Sequence, residues 1–150
     1  MKVLGRVDDC IKKGLIRRIE PSRQTAIKML EKAANLLKEA KSSLDANAPD
    51  GSVLMAYEVM LLSGKALLVK DGFRERSHYC VVGYVQEVYA DKGKIKKSTV
   101  DLFDRYREIR HMVAYDAEFM VSEEDAMKAI EDAERLFTEI KKIINAGREI

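Results

Sequence analysis

The sequence predicts an all-α fold, an up-and-down antiparallel bundle of four to five long helices. The chain has 150 residues with only 2 prolines and 8 glycines, so long helices can run without interruption. Two segments repeat apolar residues at alternating steps of four and three, which places them on one face of a helix. Serine-containing helix-start signals precede most of the expected helices. We expect one domain over residues 1–150, since a chain of this length forms one hydrophobic core.

The N-terminal segment, residues 1–21, is expected to form a short strap on the bundle. Residues 6–13 favour a short helix that stops at Gly14, because glycine commonly follows the last helical turn. The apolar residues that follow would pack on the core: Leu15, Ile16 and Ile19. Glu20-Pro21-Ser22 then indicates a helix start, in which Ser22 caps the free N–H groups.

The two segments with the alternating apolar repeat predict the two amphipathic helices of the bundle. One helix is expected from Arg23 to Leu44, and the other begins after Ser122 and ends at Gly147. Their repeating residues are Ala26, Leu30, Ala33, Leu37, Ala40 and Leu44 in the first, and Ala126, Ile130, Ala133, Phe137, Ile140 and Ile144 in the second. This spacing favours antiparallel helix packing, and the alanines allow close approach. Ser122 and Asp125 have the spacing of a capping box.

The middle of the chain should supply the most buried helix. It is expected from Val53 to Lys70 after a cap at Ser52, and it is almost entirely apolar. A valine-rich helix should begin after Ser77. We expect a helix there because the sequence shows no partner strand, and a lone strand is not stable. After the valine-rich helix, another helix follows the capping box at Ser98–Asp101 and ends at Tyr115.

Composition and charge exclude several functions. Hydrophobic residues make up 47% and charged residues 35%, which suits a soluble helical protein. The sequence contains no run of eighteen apolar residues and so predicts no membrane span. Its first residues lack the apolar region of a secretory signal. The net charge of +2 is too small to indicate nucleic-acid binding by itself. Cys10 and Cys80 belong to no metal motif, so we expect reduced thiols in the cytoplasm, without metal or cofactor.

The candidate functional residues lie on the fifth helix, between Asp104 and Asp116. Residues three or four apart share a helix face, and this spacing forms one polar stripe. Its members are Arg107, His111 and Tyr115, with Arg110 beside them and Asp116 just beyond. A cation, an imidazole and a phenol on one face can hold a phosphate, a base or a carboxylate; the alternative is a solvated helix face. His78 either contacts this stripe from the neighbouring helix or is an ordinary helix-start residue.

Several short motifs occur in a distinctive order between residues 12 and 145. They are Lys13-Gly14-Leu15-Ile16, Ile19-Glu20-Pro21-Ser22, Ala56-Tyr57, Lys65-Ala66-Leu67-Leu68 followed by Gly72, Ser77-His78, the stretch Arg110–Asp116, and Ser122-x-x-Asp125-Ala126. This order resembles the small single-domain HEPN proteins of prokaryotes (higher eukaryotes and prokaryotes nucleotide-binding domain). The resemblance implies the same helical bundle.

The resemblance also bears on catalysis. Ribonucleases of the HEPN family carry an arginine, then four to six residues, then a histidine; two such motifs meet across a homodimer and cut RNA without metal. Arg110 matches the arginine, His111 stands where asparagine is usual, and Tyr115 stands where the histidine is expected. A phenol, with an ordinary pKa of about 10, is a poor proton acceptor at neutral pH. Arg105 and His111 offer a second register, which the flanking residues support less well.

Three functions therefore remain open. The first is a HEPN module that binds nucleotide or RNA as a homodimer, with weak or lost catalysis by Arg110, His111 and Tyr115. For this module the resemblance implies a minimal nucleotidyltransferase partner in a toxin–antitoxin-like pair. The second is an active metal-independent endoribonuclease, with His111 as general acid and base. The third is a purely structural helical interaction subunit. The remaining expected ligand contacts are Arg105, Arg107, Asp116 and His78.

Overall fold

The computed structural model describes residues 5–146, which form a helical bundle with one small sheet. The helices are α1 (Arg6–Lys12), α2 (Arg23–Asp45), α3 (Pro49–Asp71), α4 (His78–Tyr84), α5 (Lys97–Tyr115) and α6 (Glu123–Ala146), and a π-helical segment, Val85–Ala90, follows α4 directly. The strands are β1 (Ile16–Arg18) and β2 (Phe73–Glu75). Among the described residues four helices are long, so the predicted helical bundle is confirmed.

α3 is the centre of the bundle, as predicted. It packs mainly against α2 and α6, which cover it with their repeating apolar faces, while α4 and α5 cover another side. Eleven of the twelve repeat residues of α2 and α6 are buried, and Leu44 is half-buried. The predicted end of the last helix at Gly147 lies outside the described residues.

α3 is also long and apolar enough to cross a membrane, by length and composition alone. The mean hydropathy of its most apolar window is 1.6, yet 67% of that window is buried inside the bundle. A helix that is apolar on all sides is expected in the core of a protein as well as in a membrane. The burial of α3 by its neighbours accounts for its composition.

Two of the predicted helix caps form as expected. The Ser22 hydroxyl accepts a hydrogen bond from the Thr25 N–H at 3.1 Å. Ser122 and Asp125 cap each other reciprocally, through N–H to hydroxyl and N–H to carboxylate contacts of 3.0 and 3.4 Å. Ser77 occupies the cap position of α4.

Two other predicted helix starts were wrong. α3 begins at Pro49, whose fixed φ suits the first helical turn. Ser52 is therefore inside the helix, and its hydroxyl donates to the Ala40 carbonyl of α2 at 2.9 Å. α5 begins at Lys97, so Ser98 lies within its first turn rather than at its cap. In both cases the serine lies one turn or less from the observed start of the helix. Sequence spacing does not locate a helix start more closely than this.

The small sheet was not predicted. Part of the strap and the turn after α3 form an antiparallel pair in which Ile16 lies opposite Glu75. Each strand has three residues, too few for alternation to show in the sequence. The pair fixes where the chain leaves α3, and so where α4 begins.

The expectation of reduced cysteines was also wrong. Cys10 in α1 and Cys80 in α4 form a disulfide across a Cα–Cα distance of 6.0 Å, 70 residues apart in the chain. The spacing of the two cysteines in the sequence does not indicate this pairing, because the pairing depends on how α1 packs against α4. Disulfides persist in oxidising compartments and in intracellular proteins of hyperthermophiles, so the cysteines do not by themselves indicate a cytoplasm.

We expect the disulfide to contribute about 4 kcal/mol to the free energy of unfolding, since it closes a long loop in the unfolded chain. Replacing both cysteines by alanine should lower the guanidinium midpoint, and a reductant should lower that of the wild type only. Two free thiols in unfolded, unreduced wild type would contradict this prediction.

Gly64 of α3 lets two helices approach closely. A Cβ at this position would lie 2.8 Å from Val81 Cγ1 and 3.3 Å from the Phe103 ring, so the chain has no room for alanine there. Gly51, in the first turn of the same helix, has only ordinary contacts, with Ser43 at 3.8 Å. The close contact at Gly64 holds both α4 and α5 on α3.

The two glycines make a matched pair of tests. Gly64→Ala should lower the melting temperature, because overpacking costs about 1–3 kcal/mol and exceeds the gain in helix propensity. Gly51→Ala should leave the melting temperature unchanged or raise it. Equal effects of the two substitutions in thermal denaturation would show that the contact at Gly64 is not tight.

Candidate functional site

The start of α4 and the second half of α5 enclose a cleft of about 470 Å³, which we call the α4–α5 cleft. It is lined by Ser77, His78, Tyr79, Arg107, Glu108, Arg110 and His111. Four of the seven residues singled out from the sequence thus come together: Arg107, Arg110, His111 and His78. Their shared position follows from helical spacing on α5 and from the docking of α4 beside it.

The other three residues lie elsewhere. Tyr115 is 69% exposed at the end of α5, with its ring centroid 5.0 Å from that of His111, just beyond the cleft. The Asp116 carboxylate accepts the Glu118 N–H at 3.0 Å and belongs to the turn after α5. Arg105 lines a different groove.

The position of Arg105 bears on the second motif register. Arg105 and His111 are six residues apart, which places them about 120° apart around an α-helix. Arg105 lines an apolar groove of about 490 Å³ between α5 and α6, together with the buried Asp132, which accepts the Tyr106 hydroxyl at 2.8 Å. An Arg105–His111 pair therefore does not share one cleft, whereas Arg110 and His111 do.

The two cleft arginines differ in their ion pairing. Arg107 Nε donates to Asp104 at 3.0 Å, and the same carboxylate oxygen accepts from Arg6 at 3.2 Å. Burial favours a higher pKa for Asp104, but the two guanidiniums outweigh it and hold the pKa below its usual range. Within residues 5–146, Arg110 makes no ion pair. Arg110 is thus the cleft arginine that has no ion pair among the described residues, although Glu108 lines the same cleft.

Sequence reasoning missed Tyr79 and Arg6. Tyr79 lines the cleft and is 45% exposed, and the Arg6 guanidinium lies 3.5 Å from its ring centroid. Arg6 reaches this place because Glu87 accepts the N–H groups of Arg6 and Val7 and so caps α1. Tyr79 follows His78 directly in the sequence, and this position could have indicated that it lies near the site. The position of Arg6 depends on the contact with Glu87, 81 residues away in the chain, which the sequence does not indicate.

The π-helical segment holds α4 in position. The hydroxyls of Tyr84 and Tyr89 donate to one carboxylate oxygen of Asp71, at 2.7 and 2.6 Å. Residues five apart lie about 140° apart on an α-helix, and the wider π winding brings them to one side. Burial opposes ionisation of Asp71, but hydrogen bonds from Lys70, Tyr89 and Tyr84 hold its pKa below the usual value.

His78 is anchored from the core. The Tyr57 hydroxyl lies 3.1 Å from His78 Nδ1, and Tyr57 is fully buried, as predicted. Burial lowers the pKa of His78, and the nearby cations Lys65 and Arg110 lower it further, against the carboxylates Glu58 and Glu75. The ring is therefore neutral at neutral pH.

This lowered pKa has a consequence for stability. Folding favours the neutral ring, so its contribution is present above the ordinary pKa of about 6.5 and is lost as the pH falls through the lower folded value. Wild type should lose stability over this range, and His78→Asn should lose less, in denaturant titrations at a series of pH values. Asp71 and Asp104 titrate below their ordinary value of 3.8 and do not overlap this range. Parallel curves for both proteins would contradict the prediction.

Fold and site together define a helical domain with a cationic, imidazole-lined cleft, a class suited to anionic ligands. The family model of the HEPN domain matches residues 26–143, more than half of the chain, and the chain therefore belongs to the HEPN family. No curated protein matches the chain. The family match begins within α2 and ends within α6, so α1, which supplies Arg6 and Cys10, lies outside it.

Proposed function

We propose that this HEPN protein binds the phosphate group of a nucleotide or RNA in the α4–α5 cleft, as a homodimer and with weak or lost catalysis. The observation that supports it most is the position of Arg110, which makes no ion pair within the described residues and shares one cleft with two imidazoles. A guanidinium can grip a phosphate through two parallel, charge-assisted hydrogen bonds.

The mouth of the cleft suits the remainder of a nucleotide. His111 and Tyr115 form an aromatic pair there, and Tyr115 is largely exposed. Bases stack on such rings with little dependence on sequence. The phenol of Tyr115, at the position of the usual motif histidine, is a poor proton acceptor, which supports binding rather than cleavage.

The proposal of a homodimer is supported by apolar side chains exposed around the end of α5. Met112, Tyr115 and Met120 are 36%, 69% and 86% exposed there. A group of exposed apolar residues is typical of an interaction surface. A minimal nucleotidyltransferase as partner in a toxin–antitoxin-like pair is a further part of the proposal and rests on the family. A cytoplasmic location is proposed as well.

An active endoribonuclease is a second candidate, because His78 and His111 line the same cleft. One imidazole would take the proton of the attacking 2′-hydroxyl while the other would protonate the departing 5′-oxygen. Arg110 would stabilise the negative phosphorane. A third candidate, a structural interaction subunit, would use the polar stripe only for contacts between proteins.

Arg110 and Arg105 provide a matched test, since they lie on one helix but line different grooves. Arg110→Ala should weaken the binding of adenosine 5′-monophosphate and of a short single-stranded RNA by about tenfold or more, the effect of one charge-assisted contact. Arg105→Ala should leave both affinities within about twofold of wild type. Fluorescence anisotropy and calorimetry measure the affinities. Equal losses in the two variants would contradict the assignment of the cleft.

Cleavage assays separate the candidates. The same RNA incubated in EDTA with wild type should remain intact. Cleavage that is lost in a folded His111→Ala variant would establish the endoribonuclease instead. Absence of both binding and cleavage would favour the structural subunit.

A further inference from the structure

We propose that His78 is a positioning residue for the bound phosphate: its Nε2–H donates to a phosphate oxygen held by Arg110, and Tyr57 fixes the tautomer that makes this possible. The inference rests on the proposed phosphate binding and adds a role that the HEPN match does not assign. It follows from the hydrogen-bond requirements of two side chains.

The Tyr57 phenol keeps its proton. Its side chain is fully buried, and burial, with Glu58 nearby, raises its pKa well above the ordinary value. Arg107 and Arg110 oppose this only in part. Among residues 5–146 the hydroxyl has one hydrogen-bond partner, Nδ1 of His78 at 3.1 Å.

The Tyr57 hydroxyl determines the tautomer of His78. A buried hydroxyl proton without an acceptor costs about 1–3 kcal/mol. If Nδ1 of His78 carried the proton, both groups would be donors and the Tyr57 proton would lack an acceptor among the described residues. Nδ1 therefore accepts from Tyr57, and the proton of the neutral ring is on Nε2.

The surroundings of the His78 ring keep it uncharged. Lys65 and Arg110 disfavour an imidazolium at this place, and Glu58 and Glu75 favour one. Burial has the largest effect, so the pKa falls below its ordinary value and the ring stays neutral. The cleft thus combines guanidinium charge with one uncharged, directed donor.

The hydrogen bond to Tyr57 directs this donor to the cleft. Nδ1 is bonded toward the core, which leaves the opposite edge of the ring, with Nε2, for the cleft that His78 lines beside Arg110. A ring in this state presents no lone pair to a ligand. His78 therefore holds a phosphate oxygen and does not accept a proton, which distinguishes this role from the general base of an endoribonuclease.

Two substitutions separate the donor from its anchor. His78→Asn keeps a carbonyl that can accept from Tyr57 but has no group at the position of Nε2. Tyr57→Phe keeps the imidazole but removes the hydroxyl that fixes its tautomer. Circular dichroism establishes that each variant is folded, and Arg105→Ala is the control for an unrelated surface change.

The direct measurement is long-range ¹⁵N–¹H NMR of the histidine rings at neutral pH, with and without adenosine 5′-monophosphate. We expect an Nε2–H tautomer for His78 in the free protein, a change of the Nε2 signals on adding the nucleotide, and mixed tautomers in Tyr57→Phe. His78→Asn should weaken binding of the nucleotide by about threefold to tenfold, as for one neutral hydrogen bond.

The outcomes are distinguishable. An Nδ1–H tautomer or an imidazolium at neutral pH would overturn the inference, as would undiminished binding by His78→Asn alongside weakened binding by Arg110→Ala; in that last case the proposed function would stand. If wild type binds neither the nucleotide nor RNA, the proposed function fails, and the role of His78 fails with it.

Discussion

Burial of α3 is the constraint from which the rest of this structure follows. A helix that is apolar on all sides must be covered on all sides, and no single neighbour can do so. α2 and α6 cover two sides with their alternating apolar faces. The remaining side is left to α4 and α5, which meet there because Gly64 admits their side chains. The α4–α5 cleft is the groove between these two helices, so its position follows from the way α4 and α5 cover α3.

The residues outside the HEPN match shape the site as well. α1 is only seven residues long, and a helix of this length is not stable alone. Its disulfide to α4 and its cap from Glu87 hold it in place, and Arg6 then stacks on Tyr79 and shares Asp104 with Arg107. This network partly neutralises Arg107 and leaves Arg110 as the stronger site for an anion. The N-terminal segment thus affects the electrostatics of a cleft that the family match covers.

The amount that sequence could predict differed between features for physical reasons. α2 and α6 were predictable because a buried helix face requires apolar residues at a regular spacing over many positions. Helical spacing alone predicted the stripe of Arg107, His111 and Tyr115 with Arg110 beside it. The cleft includes Arg107, Arg110 and His111 but not Tyr115. The starts of α3 and α5 were placed wrongly for different reasons. At α3 the proline in the first turn competes with Ser52 as a start signal. At α5 sequence spacing does not separate Ser98 from the residues just before it. The sheet, the disulfide and Arg6 depend on contacts across 59, 70 and 98 residues, for which a single sequence has no signal.

The central claim is that the α4–α5 cleft holds a phosphate. A crystal structure of the protein with adenosine 5′-monophosphate tests it most directly, because it shows the position of the phosphate without depending on a variant. The account predicts the phosphate within hydrogen-bond distance of Arg110 and of Nε2 of His78. A phosphate bound instead at Arg105 and Lys128, in the groove between α5 and α6, would contradict it.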